Sequence, residues 1–87
     1  MSLNIEELKK KIIYRSTYRG SKEMDIFLSS FVETIINNLN KQDLEKLLDL
    51  LNLDDENLYK FRQGKKTLPK IDENRITKLF QGYIHQK

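Results

Sequence analysis

Apolar residues recur every three or four positions between Met24 and Leu39, and this run constrains the fold more than any other feature of the chain. The run consists of Met24, Phe27, Leu28, Phe31, Val32, Ile35, Ile36 and Leu39. This spacing places the side chains on one face of an α-helix, whereas a strand would show strict alternation. We therefore predict an amphipathic helix over about 21–38, with a wide apolar face that other helices must cover.

Four further segments show helical spacing, and none shows sustained strand-like alternation. The predicted N-caps are Ser2, Asn40 and either Asp54 or Asp55, because side-chain oxygens at these positions can accept the first free backbone N–H groups of a helix. Gly64 should end the fourth segment. Together with the central run, these segments predict five helices.

The first and fifth segments each have a defined apolar stripe. The first helix is predicted over about Leu3–Thr17, with Ile5, Leu8 and Ile12 on its buried face. The fifth is predicted to begin near Asp72. Its expected buried residues are Ile76, Leu79, Phe80, Tyr83 and Ile84.

The size of the chain and its lack of cysteine limit how it can be stabilised. A chain of 87 residues forms one small domain (1–87), which can bury about 60–65% of its unfolded surface. Without cysteine it has no disulfide or thiolate ligand, and its single histidine, His85, is close to the C-terminus. Stability must come from helix packing, and short connections favour antiparallel neighbours. We predict an all-α fold, a small compact five-helix bundle, and a monomer.

The charge distribution allows two interpretations of the C-terminal region. The net charge is +3, and residues 65–87 hold six basic and two acidic side chains. A small basic helical protein of this kind could bind nucleic acid or act as a regulator, using Lys65, Lys66, Lys70 and Lys78. The alternative is a solvated run of charges, since twelve of the sixteen cations are lysines. We favour the second interpretation and expect no nucleic-acid partner.

Several functional classes are not expected. The sequence shows no pairing of a nucleophile with a base, no phosphate-binding glycine loop and no His/Cys ligand set, so we predict neither an enzyme nor a metal site. No window approaches the roughly 20 apolar residues that cross a membrane. The N-terminus has no apolar run typical of a signal peptide. We expect a bacterial cytoplasmic protein, or one of the mitochondrial matrix if it is eukaryotic.

Charged residues surround a glycine at the start of the central helix. If that helix begins near Gly20, Arg19 and Glu23 lie on one exposed side, four residues apart. Glycine gives backbone freedom and leaves no side chain to obstruct a partner. Two interpretations remain: an exposed ion pair with Glu23 and Asp25 as first-turn acids, or a surface presented to another protein. Tyr14, Arg15 and Tyr18 lie nearby, either as interface anchors or as cover for the edge of the bundle.

Two blocks in the correct order resemble a known family. Residues 11–25, Lys-Ile-Ile-Tyr-Arg-Ser-Thr-Tyr-Arg-Gly-Ser-Lys-Glu-Met-Asp, are similar to the opening of the succinate dehydrogenase assembly factor 2 family of FAD assembly factors. Its Arg-Gly-x-x-Glu-(apolar)-Asp signature is met by Arg19, Gly20, Glu23, Met24 and Asp25. Residues 53–64, followed by Pro69, resemble a second family block, with Phe61 in place of its usual tryptophan. The likeness covers about two-thirds of the chain.

The resemblance implies a helical bundle that acts as an assembly chaperone. Such a protein binds the immature flavoprotein subunit of succinate dehydrogenase, or of fumarate reductase, and promotes covalent attachment of FAD to that subunit. The implied partner-binding residues include Arg19, Gly20, Glu23 and Asp25. No cofactor is expected to be bound stably by this chain, because so small a bundle has little room for a flavin cavity of several hundred Å³. Phe61 keeps an apolar ring and is expected in the core.

Overall fold

The computed structural model describes residues 4–17, 19–67, 71 and 73–83. Within these ranges the chain forms five α-helices and a short 3₁₀ turn, with no β-strand. The helices are α1 (Ile5–Thr17), α2 (Lys22–Ile35), α3 (Lys41–Leu51), α4 (Asp55–Arg62) and α5 (Arg75–Gly82), and the 3₁₀ turn Ile36–Asn38 continues α2. The predicted all-α five-helix architecture is confirmed.

The helices pack around one core. Helix α1 packs against both α2 and α3, α3 also packs against α5, and α4 packs against α5. The radius of gyration is 12.2 Å, close to the roughly 12 Å expected for a compact chain of this length. The buried apolar residues come from all five helices.

Aromatic rings join α2, α4 and α5. Phe61 stacks on Phe80 with ring centroids 6.3 Å apart, and Phe31 meets Phe80 edge-on at 5.6 Å. Phe27 contacts Phe80 and Tyr83, also edge-on. Phe61 is buried, so its predicted place in the core is confirmed. Offset and edge-on ring pairs of this kind stabilise a core beyond the area that they bury.

The predicted buried stripes are correct near the middle of the helices and wrong at two positions. Ile5 and Leu79 are 44% and 39% exposed. Ile5 lies in the first turn of α1, at the end of the helix. In α5 the buried face is centred between Ile76 and Phe80, and at about 100° per residue Leu79 falls at its edge. Ile84 lies outside the described residues.

The helix starts are defined by side chains that accept backbone N–H groups. The oxygens of Asn40 and Asp54 accept from the N–H three residues later, at 2.8 and 2.9 Å. Asn40 is therefore confirmed as a cap. Of the two acids proposed as the cap of α4, Asp54 is the one that caps the helix. In α1, Asn4 accepts from the Glu7 N–H at 2.8 Å, whereas the predicted cap Ser2 lies outside the described residues.

Helix α5 begins later than predicted. The Asn74 side chain accepts from the Thr77 N–H at 2.9 Å, and the Thr77 hydroxyl accepts from the Asn74 N–H at 2.8 Å. This reciprocal capping box satisfies two backbone donors at once and sets the first residue of α5 at Arg75. Asp72, where the helix was predicted to begin, precedes this box and lies outside the described residues.

Gly64 ends α4, as predicted, in a left-handed conformation with a φ of 75°. The N–H of Gly64 donates to Phe61 O at 3.0 Å and that of Lys65 donates to Lys60 O at 2.8 Å, which is the Schellman pattern. We expect Gly64→Ala to lower the free energy of unfolding by about 1 kcal/mol, because L-residues are disfavoured at positive φ. Urea denaturation followed by circular dichroism measures this change.

Gly82→Ala is the matched control for this prediction. A Cβ at Gly82 would meet nothing within 4 Å, and the φ of Gly82 is not in the left-handed region. Alanine there should be neutral or stabilise α5 by up to about 1 kcal/mol. Equal stability of the two variants would contradict the left-handed conformation at Gly64.

Candidate functional site

Arg19 connects the α1–α2 junction to the end of α3 and the start of α4. Its Nε donates to Asp55 Oδ1 at 2.8 Å, its Nη1 to Leu51 O at 2.8 Å and its Nη2 to Leu53 O at 2.6 Å. The Arg19 side chain is only 9% exposed, and that of Asp55 25%. A guanidinium suits this position because its planar donors reach several acceptors at fixed angles. Arg19 therefore joins segments that are distant in sequence.

Two carboxylates hold the backbone next to Arg19. Asp55 Oδ2 accepts from the Gly20 N–H at 2.9 Å, and Asp25 Oδ1 accepts from the Arg19 N–H at 2.5 Å. Hydrogen bonds to ionised acceptors are about twice as strong as neutral ones. The loop that carries Gly20 is thus held by hydrogen bonds to one carboxylate of α2 and one carboxylate of α4.

The expectation that Arg19 and Glu23 lie on one exposed side is wrong, and so is the interpretation of the two residues as an exposed ion pair. Helix α2 begins at Lys22, because Ser21 is its N-cap and accepts from the Met24 N–H at 3.1 Å. Arg19 therefore precedes the helix, and its guanidinium binds Asp55 instead. Glu23 is exposed and makes no ion pair with any described residue. The structure thus separates the residues of the motif into a largely buried arginine and an exposed glutamate.

Asp55 is the residue of this site that the sequence analysis missed. Asp54 and Asp55 were considered only as alternative caps for α4, and a helix start has one N-cap position. With Asp54 in that position, the carboxylate of Asp55 is left to bind another group. Two adjacent acids at the start of one short helix are therefore a usable signal that one of them has a tertiary partner.

Gly20 is exposed. A glycine suits this position because there is little space for a side chain, not because the backbone needs a conformation that only glycine adopts. Its φ is outside the left-handed region, which other residues rarely adopt. A Cβ built at Gly20 would lie 3.2 Å from Asp55 Oδ2, closer than ordinary van der Waals contact. A larger residue would require Asp55 to move and would disturb the bonds to Arg19 and Gly20.

A surface groove of about 830 Å³ opens beside Gly20, between the first half of α2 and α4. Its apolar lining is Met24, Ile26, Phe27 and Tyr59. Ile26 and Tyr59 are 48% and 57% exposed. The sequence analysis did not predict this open groove on the surface.

Charged groups surround this apolar lining. Glu23, Asp55, Glu56 and Arg62 line the groove. The guanidinium of Arg62 lies 4.5 Å from the centre of the Phe27 ring, and its Nη1 donates to a carbonyl of α5 at 2.9 Å. Asp55 is also paired with Arg19, so Glu23 and Glu56 supply the exposed negative charge at the edge of the groove.

The other predicted contact residues lie apart from the groove. Tyr14 and Arg15 are exposed on the last turns of α1, and neither lines the groove. The carbonyl of Arg15 accepts from Arg19 Nη1 at 3.2 Å, so this part of α1 is attached to the same junction. Tyr18 lies outside the described residues.

The remaining surfaces include the basic residues of the C-terminal region. Lys65, Lys66 and Lys78 are exposed, and Lys70 lies outside the described residues. In the part of the chain that the structure describes, no cluster of three His, Cys, Asp or Glu side chains could hold a metal ion. None of its helices is long and apolar enough to cross a membrane.

Comparisons with known proteins place the chain among assembly factors. A family model described as "Flavinator of succinate dehydrogenase" matches residues 10–84. The mitochondrial succinate dehydrogenase assembly factor 2 of Dictyostelium discoideum is 34% identical over 79 residues, covering 91% of this chain and 56% of that protein. The protein of the same name from Saccharomyces cerevisiae (strain YJM789) is 32% identical over 87 residues, covering 95% and 54%.

The chain is shorter than these relatives. The Arabidopsis thaliana protein of the same name is 30% identical over 73 residues, covering 79% of this chain and 39% of that protein. The chain thus spans about half the length of the curated relatives it matches. No solved structure gives a significant match.

Proposed function

The chain belongs to the family of flavinators of succinate dehydrogenase, and we propose that it is an assembly chaperone for a flavoprotein subunit. It binds the immature subunit of succinate dehydrogenase, or of fumarate reductase, and promotes covalent attachment of FAD. The curated relatives named above are mitochondrial. We place this chain where such a subunit matures, in the mitochondrial matrix or the bacterial cytoplasm.

The observation that carries this proposal is the fixed backbone at Gly20 beside the exposed Glu23. Asp55 holds the Gly20 N–H, and Asp25 holds that of Arg19. Because the loop is ordered before a partner arrives, docking does not have to order it, and pre-organisation of this kind favours affinity. Gly20 and Glu23 contact the partner, while Arg19 and Asp25 position them from within the protein.

The exposed end of α1 extends the proposed interface. Tyr14 and Arg15 are residue types that are enriched at binding hot spots, and Arg15 is linked to Arg19 through its carbonyl. Tyr18, between them and the motif in sequence, stays part of the proposal on the basis of the sequence. A single partner surface can then span α1, the Gly20 loop and the start of α2.

The chain contributes binding rather than a reacting group. A helper that binds one conformation of the flavoprotein better than another shifts the population toward it, by no more than that difference in affinity. The favoured conformation is one in which FAD and its acceptor histidine are aligned, since alignment alone can remove much of a barrier. FAD is held by the partner, and the bond forms within the partner.

The direct test is the covalent flavin content of the apo-flavoprotein subunit after incubation with FAD. Flavin fluorescence in a denaturing gel measures it, with and without this chain. We expect the chain to increase covalent flavin. No increase from a folded chain with its cognate subunit would overturn the proposal. DNA or RNA binding that falls steeply with salt, and that is lost on charge reversal of Lys65, Lys66 and Lys78, would then support the alternative.

A further inference from the structure

On the premise of the proposed function, we infer that the groove between α2 and α4 is the docking site for a segment of the flavoprotein subunit. This segment carries an aliphatic or aromatic side chain next to a lysine or arginine. The apolar side chain occupies the space between Ile26 and Tyr59, and the cation meets the carboxylates at the edge of the groove. The groove thus forms a second part of the interface, beyond the Gly20 motif.

The apolar part of the groove is not required by the fold. Ile26 and Tyr59 expose about half of their surface. They are not among the residues with which α2 and α4 pack into the core. Two large apolar side chains on separate helices line one groove here. Exposed apolar groups gathered beside polar ones are typical of protein interaction sites.

The charge of the groove differs from that of the chain. The protein carries a net charge of +3, yet three of the four charged residues that line the groove are acidic, and of these only Asp55 is held by a largely buried cation, Arg19. Glu23 has no ion-pair partner among the described residues. The pair of Glu56 with Lys60, at 3.2 Å, is exposed and a partner's cation can replace it, because exposed pairs contribute little. Charge complementarity therefore selects a cationic occupant.

The groove is continuous with the Gly20 loop. Ser21, the residue after Gly20, and Glu23, two positions further on, both line it. Asp55 belongs to both features, because its Oδ2 holds the Gly20 N–H and its side chain also lines the groove. A partner segment that reaches Gly20 consequently meets the acidic end of the groove first.

Affinity for the apo-flavoprotein subunit, measured by biolayer interferometry at low and high salt, tests this inference. Ile26→Ser and Tyr59→Ala should each raise Kd about tenfold, as expected for interface anchors. Glu56→Lys should slow association several-fold and weaken its salt dependence. The control is Leu79→Ser, an exposed apolar position of α5 that does not line this groove, and its Kd should stay within about twofold. Circular dichroism verifies that each variant is folded.

The outcomes separate this inference from the proposed function. If Gly20→Arg abolishes binding while the groove variants bind like the native chain, the groove inference is wrong and the proposed function stands. If the native chain does not bind the subunit, both are wrong. Sedimentation of the chain alone would reveal a second copy as the occupant, and titration with FAD alone would reveal a flavin site. Self-association or FAD binding that disappears in the Ile26→Ser variant would overturn the inference.

Discussion

Arg19→Ala is expected to lower the free energy of unfolding by about 2–4 kcal/mol, a large share of the stability of a domain of this size. The substitution leaves the Asp55 carboxylate and the carbonyls of Leu51 and Leu53 without the donors that now reach them. Removing one partner of a largely buried pair costs more than the pair contributes, because the remaining charge is desolvated and unpaired. Urea denaturation measures the change, and thermal denaturation should show a fall of about 10–20 °C.

A double-mutant cycle with Asp55→Ala identifies the cause. Removing both side chains should be less destabilising than the sum of the two single changes, with a coupling of about 1–3 kcal/mol. Arg19→Lys should recover only part of the loss, because an ammonium lacks the planar arrangement of donors. Arg15→Ala, at an exposed position four residues earlier, should change stability by less than about 0.5 kcal/mol. Equal effects of Arg15→Ala and Arg19→Ala would contradict the buried position of Arg19.

Sequence reasoning was most accurate where the determining contact is local. Asn40 and Asp54 accept from an N–H three residues away, so the short-range pattern contains the whole interaction. The apolar spacing of α2 likewise predicts its buried face, because the periodicity of a helix determines which side chains lie together. Errors appear at helix ends: Ile5 is in the first turn of α1, where the pattern cannot show how far the neighbouring helices extend.

The site was predicted less well, because it depends on contacts between distant residues. Arg19 and Asp55 are 36 positions apart, and no periodicity relates them. The motif itself was found, but its arginine was placed on the surface, since an isolated pair at i and i+4 is the simplest local interpretation. The groove was missed for a similar reason. Its volume arises from the separation of α2 and α4, which the residues of either helix alone do not determine.

Gly20→Arg is expected to abolish the stimulation of covalent flavin attachment while the chain remains folded. A Cβ at this position already lies 3.2 Å from Asp55 Oδ2, so the rest of the side chain must turn toward the surface where we propose the partner docks. The new guanidinium also competes with Arg19 for the Asp55 carboxylate. We expect at least a roughly 30-fold loss of affinity for the flavoprotein subunit, the size of a hot-spot effect. The denaturing-gel fluorescence assay measures the loss of function.

Two further variants show whether the effect of Gly20→Arg comes from the position of the new side chain, from its charge or from a loss of folding. Gly82→Arg adds the same side chain to α5 where a Cβ meets nothing within 4 Å, and it should leave stimulation unchanged. Gly20→Ala adds only a methyl group, which Asp55 can accommodate by a small shift, so most stimulation should remain. If Gly82→Arg is as damaging as Gly20→Arg, added charge rather than docking at Gly20 is responsible. If Gly20→Arg retains full stimulation, the partner does not approach this loop, because no docked surface could tolerate an arginine in place of a glycine at contact distance.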